Sequence, residues 1–191
     1  MNVAIIPARG GSKRIPRKNI KLFKGRPMMA YSIEAAQKSE CFDRVLVSTD
    51  DEEIARVAES LGADVPFIRP DSLSDDHAAT VPVIKHAVEF LLKTGEDVEF
   101  VCCIYATAPF LQCHDLKLAH EKIAKSDSEY CFTVTSFPYP IQRSLRISNS
   151  GNIEMLYPEN YSVRSQDLEE VYHDAGQFYF GRAQAWLQEK P

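Results

Sequence analysis

The chain lacks any apolar run near the ~18 residues that a membrane-crossing helix needs. Its apolar start is short and leads straight into charges, so no cleavable leader is expected either. No Cys-x-x-Cys pair occurs among the five cysteines, Cys41, Cys102, Cys103, Cys113 and Cys131. Their odd number and scatter argue against a disulfide framework or a thiolate metal site. Free thiols in a reducing compartment, hence a cytoplasmic protein, are the expectation. Acid is missing from one place in particular. Residues 9–26 carry eight of the 22 Lys and Arg side chains and no Asp or Glu. The net charge of −5 therefore hides a cationic segment on an otherwise strongly acidic chain. That distribution suits a compact polyanion rather than a long nucleic-acid track, and Phe23 alone interleaves the cations with an aromatic ring.

What is present reads as one α/β domain, which 191 residues can pack around a single core. Asn2 to Ile6 is a short apolar run ending at Pro7, as a buried strand would be. A helix is expected from Pro27 to Ser39, a strand over Arg44 to Ser48 and an amphipathic helix over Asp51 to Leu61, stopped by Gly62. Ala63 to Phe67 reads as a third strand, and Thr80 to Lys93 as a helix with Val81, Ile84, Val88 and Leu91 on one face. Phe100 to Tyr105 is the best central strand, followed by a helix over His114 to Lys125 and a strand over Tyr130 to Thr135. This alternation implies a mostly parallel, Rossmann-like sheet with helices on both faces, whose ligands bind at the carboxyl ends of the strands. Pro7, Thr49-Asp50 and Ala106-Thr107 sit at such ends. Residues 136–163 break the alternation with three prolines and short strand-like pieces around Gly151, so an arm-like excursion is expected there. Arg182 to Gln188 reads as the start of a last helix that the chain leaves unfinished.

The stretch from Pro7 to Asn19, PARGGSKRIPRKN, carries the chemistry. Gly10 and Gly11 after a strand allow backbone N–H groups to approach a phosphate, and the Ser12 hydroxyl adds a donor. Arg9, Lys13 and Lys18 can neutralise a triphosphate and a departing pyrophosphate. The order of residues fits neither a Walker loop nor Gly-x-Gly-x-x-Gly. A solvated basic loop is the plain alternative, and the coincidence of strand end, glycine pair and ordered cations weighs against it.

These residues, continued by Gly25-Arg26-Pro27, Tyr31 to Ala35, Val47 to Ala55 and Arg69-Pro70 to Asp76, closely resemble the acylneuraminate cytidylyltransferases, enzymes that make CMP-sialic acids. Tyr105-Ala106-Thr107-Ala108-Pro109 and Tyr172-His173-Asp174-Ala175-Gly176 stand where sialate enzymes carry other runs. They look like the pseudaminic acid branch of the family. The resemblance implies a nucleotidyltransferase sheet and transfer of CMP from CTP to the anomeric hydroxyl of a nine-carbon nonulosonic acid, with Mg²⁺ assisting and pyrophosphate leaving. It implies CTP contacts from Ala8, Arg9, Gly10, Gly11, Ser12, Lys13, Lys18, Asn19 and Asp76, with Arg9, Lys13 and Lys18 acting in catalysis. Tyr105, Thr107, Arg164, Gln166, Asp167, His173, Asp174, Gln177 and Tyr179 are the expected sugar contacts. Arg164 could pair with the sugar carboxylate, and His173 could supply a second donor. A homodimer built through the excursion is also implied.

One family feature has no counterpart: the Asp-Ile-Asp-Thr run whose aspartates hold Mg²⁺. No metal ligands are assigned for that reason, and a chain truncated at its carboxyl end is expected. Two rivals stay open. One is a CMP-N-acetylneuraminate or CMP-legionaminate synthetase; the other is a CTP-binding pseudoenzyme or regulatory module.

Overall fold

A computed structural model describes residues 1–75 and 78–190. In chain order the elements are β1 (Asn2–Pro7), a small ribbon of β2 (Leu22–Phe23) and β3 (Arg26–Pro27), α1 (Met28–Ser39), β4 (Arg44–Ser48) and α2 (Glu52–Ser60). Then come α3 (Thr80–Lys93), β5 (Phe100–Ile104), α4 (Cys113–Ala124), β6 (Tyr130–Ser136), β7 (Leu145–Ile147), β8 (Ile153–Met155), β9 (Tyr172–Arg182) and α5 (Ala183–Leu187). The contacts divide them into two compact units, Met1–Thr133 with the stretch from Gly176 onward, and Val134–Ala175.

The first unit is built on a sheet of order β4-β1-β5-β9-β6. β1 runs parallel to both β4 and β5, and its Val3, Ala4, Ile5 and Ile6 are fully buried. Such continuous apolar strands are what a sheet covered on both faces requires. The two-residue period of the strands divides the core. Ala4, Ile6, Val47, Cys102 and Ile104 face Ile33 of α1, Ile54 of α2 and Leu116 of α4, whereas Val3, Ile5, Leu46, Val101 and Cys103 face Ile84 and Leu91 of α3 and Trp186 of α5. Helices therefore cover both faces, as the sequence pattern implies.

β9 is the element that the pattern does not reveal. It pairs antiparallel to β5, with Cys102 opposite Phe180 and Ile104 opposite Phe178. Both phenylalanines are buried, and each such side chain contributes ~1.5–3 kcal/mol of apolar transfer. Ala63 to Phe67, expected as a strand, forms only isolated parallel bridges, from Asp64 to Leu46 and from Ile68 to Thr49. Pro66, which has no N–H to give a ladder, and Pro70 interrupt that edge. Pro27 stands just before α1 rather than within it, and Asp51 is the cap of α2 rather than its first residue. The last helix closes at Leu187, and Glu189 turns left-handed at φ 52°. The expectation that the chain stops inside a helix is thus corrected.

Among the described residues no helix is long and apolar enough to cross a membrane. All five cysteines are free thiols.

Candidate functional site

β1, β4 and β5 are parallel, with Pro7 level with Ser48 and Ile5 level with Cys103, so the chain leaves all three strands on the same edge of the sheet. The glycine loop after β1, Thr49-Asp50 after β4 and Tyr105 to Thr107 after β5 consequently emerge side by side. They open into a cavity of about 740 Å³. Its walls carry Arg9, Ser12, Lys13, Arg14, Lys18 and Asn19 from the loop, Arg69, Asp75 and Thr80 from the segments leading into α3, and Tyr105 and Thr107 beyond β5. Seven of the expected site residues therefore line one cavity: Arg9, Ser12, Lys13, Lys18, Asn19, Tyr105 and Thr107.

The loop holds its shape through side-chain bonds. Asn19 is buried, and its amide Nδ2 donates to the Arg9 carbonyl at 2.9 Å, tying the two ends of the basic stretch together. The Gly10 N–H donates to Asp50 Oδ1 at 2.9 Å. A Cβ at Gly10 would lie 2.6 Å from Asp51 Oδ2, so glycine is required there by close approach; at Gly11 nothing among the described residues lies within 4 Å. Ala8 is fully buried and its N–H donates to the Ser48 carbonyl at 2.9 Å, which makes it part of the strand end rather than of the cavity wall. Arg9 also donates to the Asp75 carbonyl, closing the cavity on its far side. Asp76, expected at the nucleotide, lies outside the described residues.

Arg69, like Arg14, lines the cavity although it was not among the expected site residues. Its exposure is only 3%, which is exceptional for a guanidinium. Nε donates to Ser74 Oγ at 3.2 Å, and Nη2 lies 3.6 Å from Asp50 Oδ1. Burial lowers its pKa from the usual arginine value, Asp50 opposes that shift and Arg9 adds to it. A buried guanidinium on a cavity that four other basic side chains line makes a cationic surface suited to an anionic ligand. In the sequence Arg69-Pro70 enters only as one of the runs that carry the family resemblance, with no role attached to the guanidinium.

Tyr105 stands at the border of this cavity and a second, apolar one of about 370 Å³, which Phe132, Tyr179 and Trp186 also line. Its ring meets Tyr179 edge-on at 5.6 Å, its N–H donates to the Gln177 carbonyl at 2.9 Å and its carbonyl accepts from Ser32 Oγ at 2.7 Å. Of the expected sugar contacts, Tyr105, Thr107, Gln177 and Tyr179 belong to the first unit.

Arg164, Gln166, Asp167, His173 and Asp174 belong to the second. There Arg164 forks onto Asp167, at 2.6 Å through Nε and 3.1 Å through Nη2. His173 Nδ1 lies 2.9 Å from the Asp174 carbonyl, and its ring packs on Phe137 at 4.8 Å. Gln166 is exposed in a short turn.

The sequence profile described as cytidylyltransferase matches residues 3–189. The chain is 50% identical over 188 residues to the pseudaminic acid cytidylyltransferase of Campylobacter jejuni, an alignment covering 98% of this chain and 81% of that one. It is 39% identical to a Helicobacter pylori protein named pseudaminic acid cytidylyltransferase and UDP-2,4-diacetamido-2,4,6-trideoxy-beta-L-altropyranose hydrolase, over 99% of this chain and 36% of that one. In fold it resembles a CMP:2-keto-3-deoxy-manno-octonic acid synthetase solved with CTP, with a TM-score of 0.72 at 18% identity over 98% of this chain and 76% of that one. With a strand-end cavity walled by the basic glycine loop and a family profile spanning almost every residue, the chain belongs to the cytidylyltransferases.

Proposed function

We propose that the protein transfers CMP from CTP to the anomeric hydroxyl of a nonulosonic acid, pseudaminic acid, and releases pyrophosphate. The observation that carries this reading is the convergence of Arg9, Lys13, Arg14, Lys18 and Arg69 on one cavity at the carboxyl ends of β1, β4 and β5. The sugar hydroxyl attacks the α-phosphorus and forms the new P–O bond as the bond to the bridging oxygen breaks. Negative charge then gathers on the pyrophosphate, where fixed cations in a walled cavity stabilise the transition state more than water does. Arg9, Lys13 and Lys18 act there. Tyr105 and Thr107, which line the same cavity as the loop, face the sugar, together with Gln177 and Tyr179. Arg164, Gln166, Asp167, His173 and Asp174 are the second unit's own candidates for the sugar, with Arg164 able to exchange Asp167 for a carboxylate. The 50% identity to the Campylobacter jejuni protein supports the choice of sugar.

Mg²⁺ belongs to the same proposal, as the counter-ion that accompanies the triphosphate. Among the described residues no cluster of three or more His, Cys, Asp or Glu is placed to hold a metal ion. Asp50 already accepts from Gly10 and faces Arg69. With Asp50 so engaged, the ion would arrive with the triphosphate, since Mg²⁺ is bound through one or two carboxylates together with substrate phosphates. A cytoplasmic setting is supported by the free state of all five thiols.

A homodimer formed through the second unit completes the reading. In its hairpin Leu145 pairs with Met155 and Ile147 with Ile153, which puts four apolar side chains on one face. Arg146 and Glu154 form a 3.0 Å ion pair on the other. Ile147 is 78% exposed and Ile153 70%, a patch that a second copy would cover. Ile147→Ser should convert a dimer to a monomer in light scattering; a wild-type monomer removes the proposal.

The deciding assay combines calorimetric CTP binding with pyrophosphate release when pseudaminic, legionaminic and N-acetylneuraminic acids are offered separately. CTP binding and release with pseudaminic acid are expected. Turnover confined to another sugar would overturn the sugar assignment, and absence of CTP binding would overturn the whole reading. Arg9→Ala should abolish turnover with every sugar, whereas His173→Ala should alter mainly the preference among them.

A further inference from the structure

Arg17 is one of the eight cations of residues 9–26, yet it is not in the cavity wall with Arg9, Lys13 and Lys18. Its backbone is left-handed, with φ 55°, a conformation in which a residue other than glycine persists only when its surroundings hold it. The holding group is Asp51. Nη2 of Arg17 donates to Asp51 Oδ1 at 2.9 Å, Nη1 donates to Oδ2, and Nη2 also reaches Glu53.

Asp51 has two further engagements. Its Oδ1 caps α2 by accepting from the N–H groups of Glu53 at 2.9 Å and Ile54 at 3.0 Å. Its Oδ2 is the atom that a Cβ at Gly10 would strike. The far end of the loop is thus seated on this carboxylate through Arg17, and its near end on the neighbouring Asp50 through the Gly10 N–H while passing close against Asp51, which is itself fixed to the first turn of α2. Ser12, Lys13, Arg14 and Ile15, between those two seats, line the cavity. The forked hydrogen bonding of this pair is a geometry that lysine cannot reproduce. Arg17 accordingly holds Asp51 at a pKa of about 2.

We propose that Arg17 is a positioning residue for nucleotide transfer, which acts through Asp51 to hold residues 10–17 in the curve that presents Lys13 to the phosphates, without itself touching the nucleotide. The inference rests on the reading of the cavity as the CTP site. It assigns to the basic loop a division of labour that its composition hides: some cations face the ligand, and Arg17 faces the protein.

The test is a double-mutant cycle read by calorimetric CTP affinity, by KM for CTP against KM for the sugar, and by melting temperature. Asp51→Asn removes the charge but keeps a good helix cap. Arg17→Ala should weaken CTP on the order of 10- to 100-fold, as expected for a small misplacement of binding groups, and leave the sugar KM within about 2-fold. Arg17→Lys should recover only part of the loss. Asp51→Asn should match Arg17→Ala, and the double variant should be no worse than either single one.

Additive losses would show that Arg17 works independently of Asp51, for instance on a phosphate, and would overturn the proposal. So would full rescue by lysine, or a lowered melting temperature with CTP and sugar affected equally. If the wild type fails to bind CTP, the reading of the cavity falls first. If it binds CTP and Arg17→Ala binds equally well, only the present inference falls.

Discussion

The two adjacent glycines of the loop make opposite predictions, and together they test its geometry. An alanine Cβ at position 10 would sit 2.6 Å from Asp51 Oδ2, 3.0 Å from its Cβ and 3.2 Å from its Cγ. Ordinary carbon contacts need roughly 3.5–4.0 Å, so something must move by the better part of an ångström. The oxygen alone could swing away if it were the end of a loose side chain. Here Asp51 is bound by Arg17, Glu53 N–H and Ile54 N–H, and its Cβ is as much an obstacle as its oxygen. Either the loop is displaced, at the ~1–3 kcal/mol typical of overpacking, or the helix cap is given up at ~0.5–2 kcal/mol. A domain of this size loses ~2–4 °C of melting temperature per kcal/mol, so Gly10→Ala should melt about 1–12 °C below wild type. Among the described residues nothing lies within 4 Å of a Cβ at Gly11, which has no left-handed φ. Gly11→Ala should therefore melt at or slightly above wild type, since alanine reduces the freedom of the unfolded chain by ~0.4–1 kcal/mol. CTP titration then separates fold from ligand. Gly10→Ala should lose affinity because the loop has moved, and Gly11→Ala should lose it only if a phosphate approaches that glycine. Equal melting temperatures for the two variants would refute the claim that Asp51 is a fixed wall.

Arg69→Met keeps much of the buried volume but removes the guanidinium that faces the cavity. At ~1.5–3 kcal/mol for a charge-assisted hydrogen bond, CTP binding should weaken on the order of 10- to 100-fold by calorimetry. Unchanged affinity would remove Arg69 from the site. For Asp51, Arg17 lowers the folded-state pKa from 3.8 to about 2, so its contribution to stability is complete above the ordinary carboxylate range and disappears as pH falls through about 2. Melting curves between those two values should consequently be flatter for Asp51→Asn than for wild type, and parallel curves would contradict the pairing. Cys102 and Cys103 are fully buried and burial raises both thiols well above their usual range, so a thiol reagent at mildly alkaline pH should label them only after denaturation. Labelling of either in the native state would show that β5 is not at the centre of the sheet.

How much of this was legible in the sequence depends on how local the signal was. α3 matches its expected span, Thr80 to Lys93, because its apolar residues recur at helical spacing; β5 differs from its expectation by one residue because its buried run ends in a turn. β9 was not legible. Tyr172 to Gln177, its first half, is polar and reads as a ligand motif, and only the pairing with β5 shows that Phe178 and Phe180 are core residues. The charge of residues 9–26 was equally plain, but the allocation of that charge was not. Arg26 is engaged by Glu34, Arg17 by Asp51 and Glu53, and Arg69 enters the wall from outside the segment. Each of these assignments joins residues that are distant in the chain, apart from the pair closed by the β2–β3 ribbon and α1, and a composition count treats all cations alike. Asp51 is the sharpest case. In sequence it is an acid suited to cap a helix and nothing more; in the fold it is the point where α2, Gly10 and Arg17 meet. What converts a basic loop into a shaped one is therefore an acid some 34 residues beyond Arg17, and only parallel pairing of β1 with β4 brings it there.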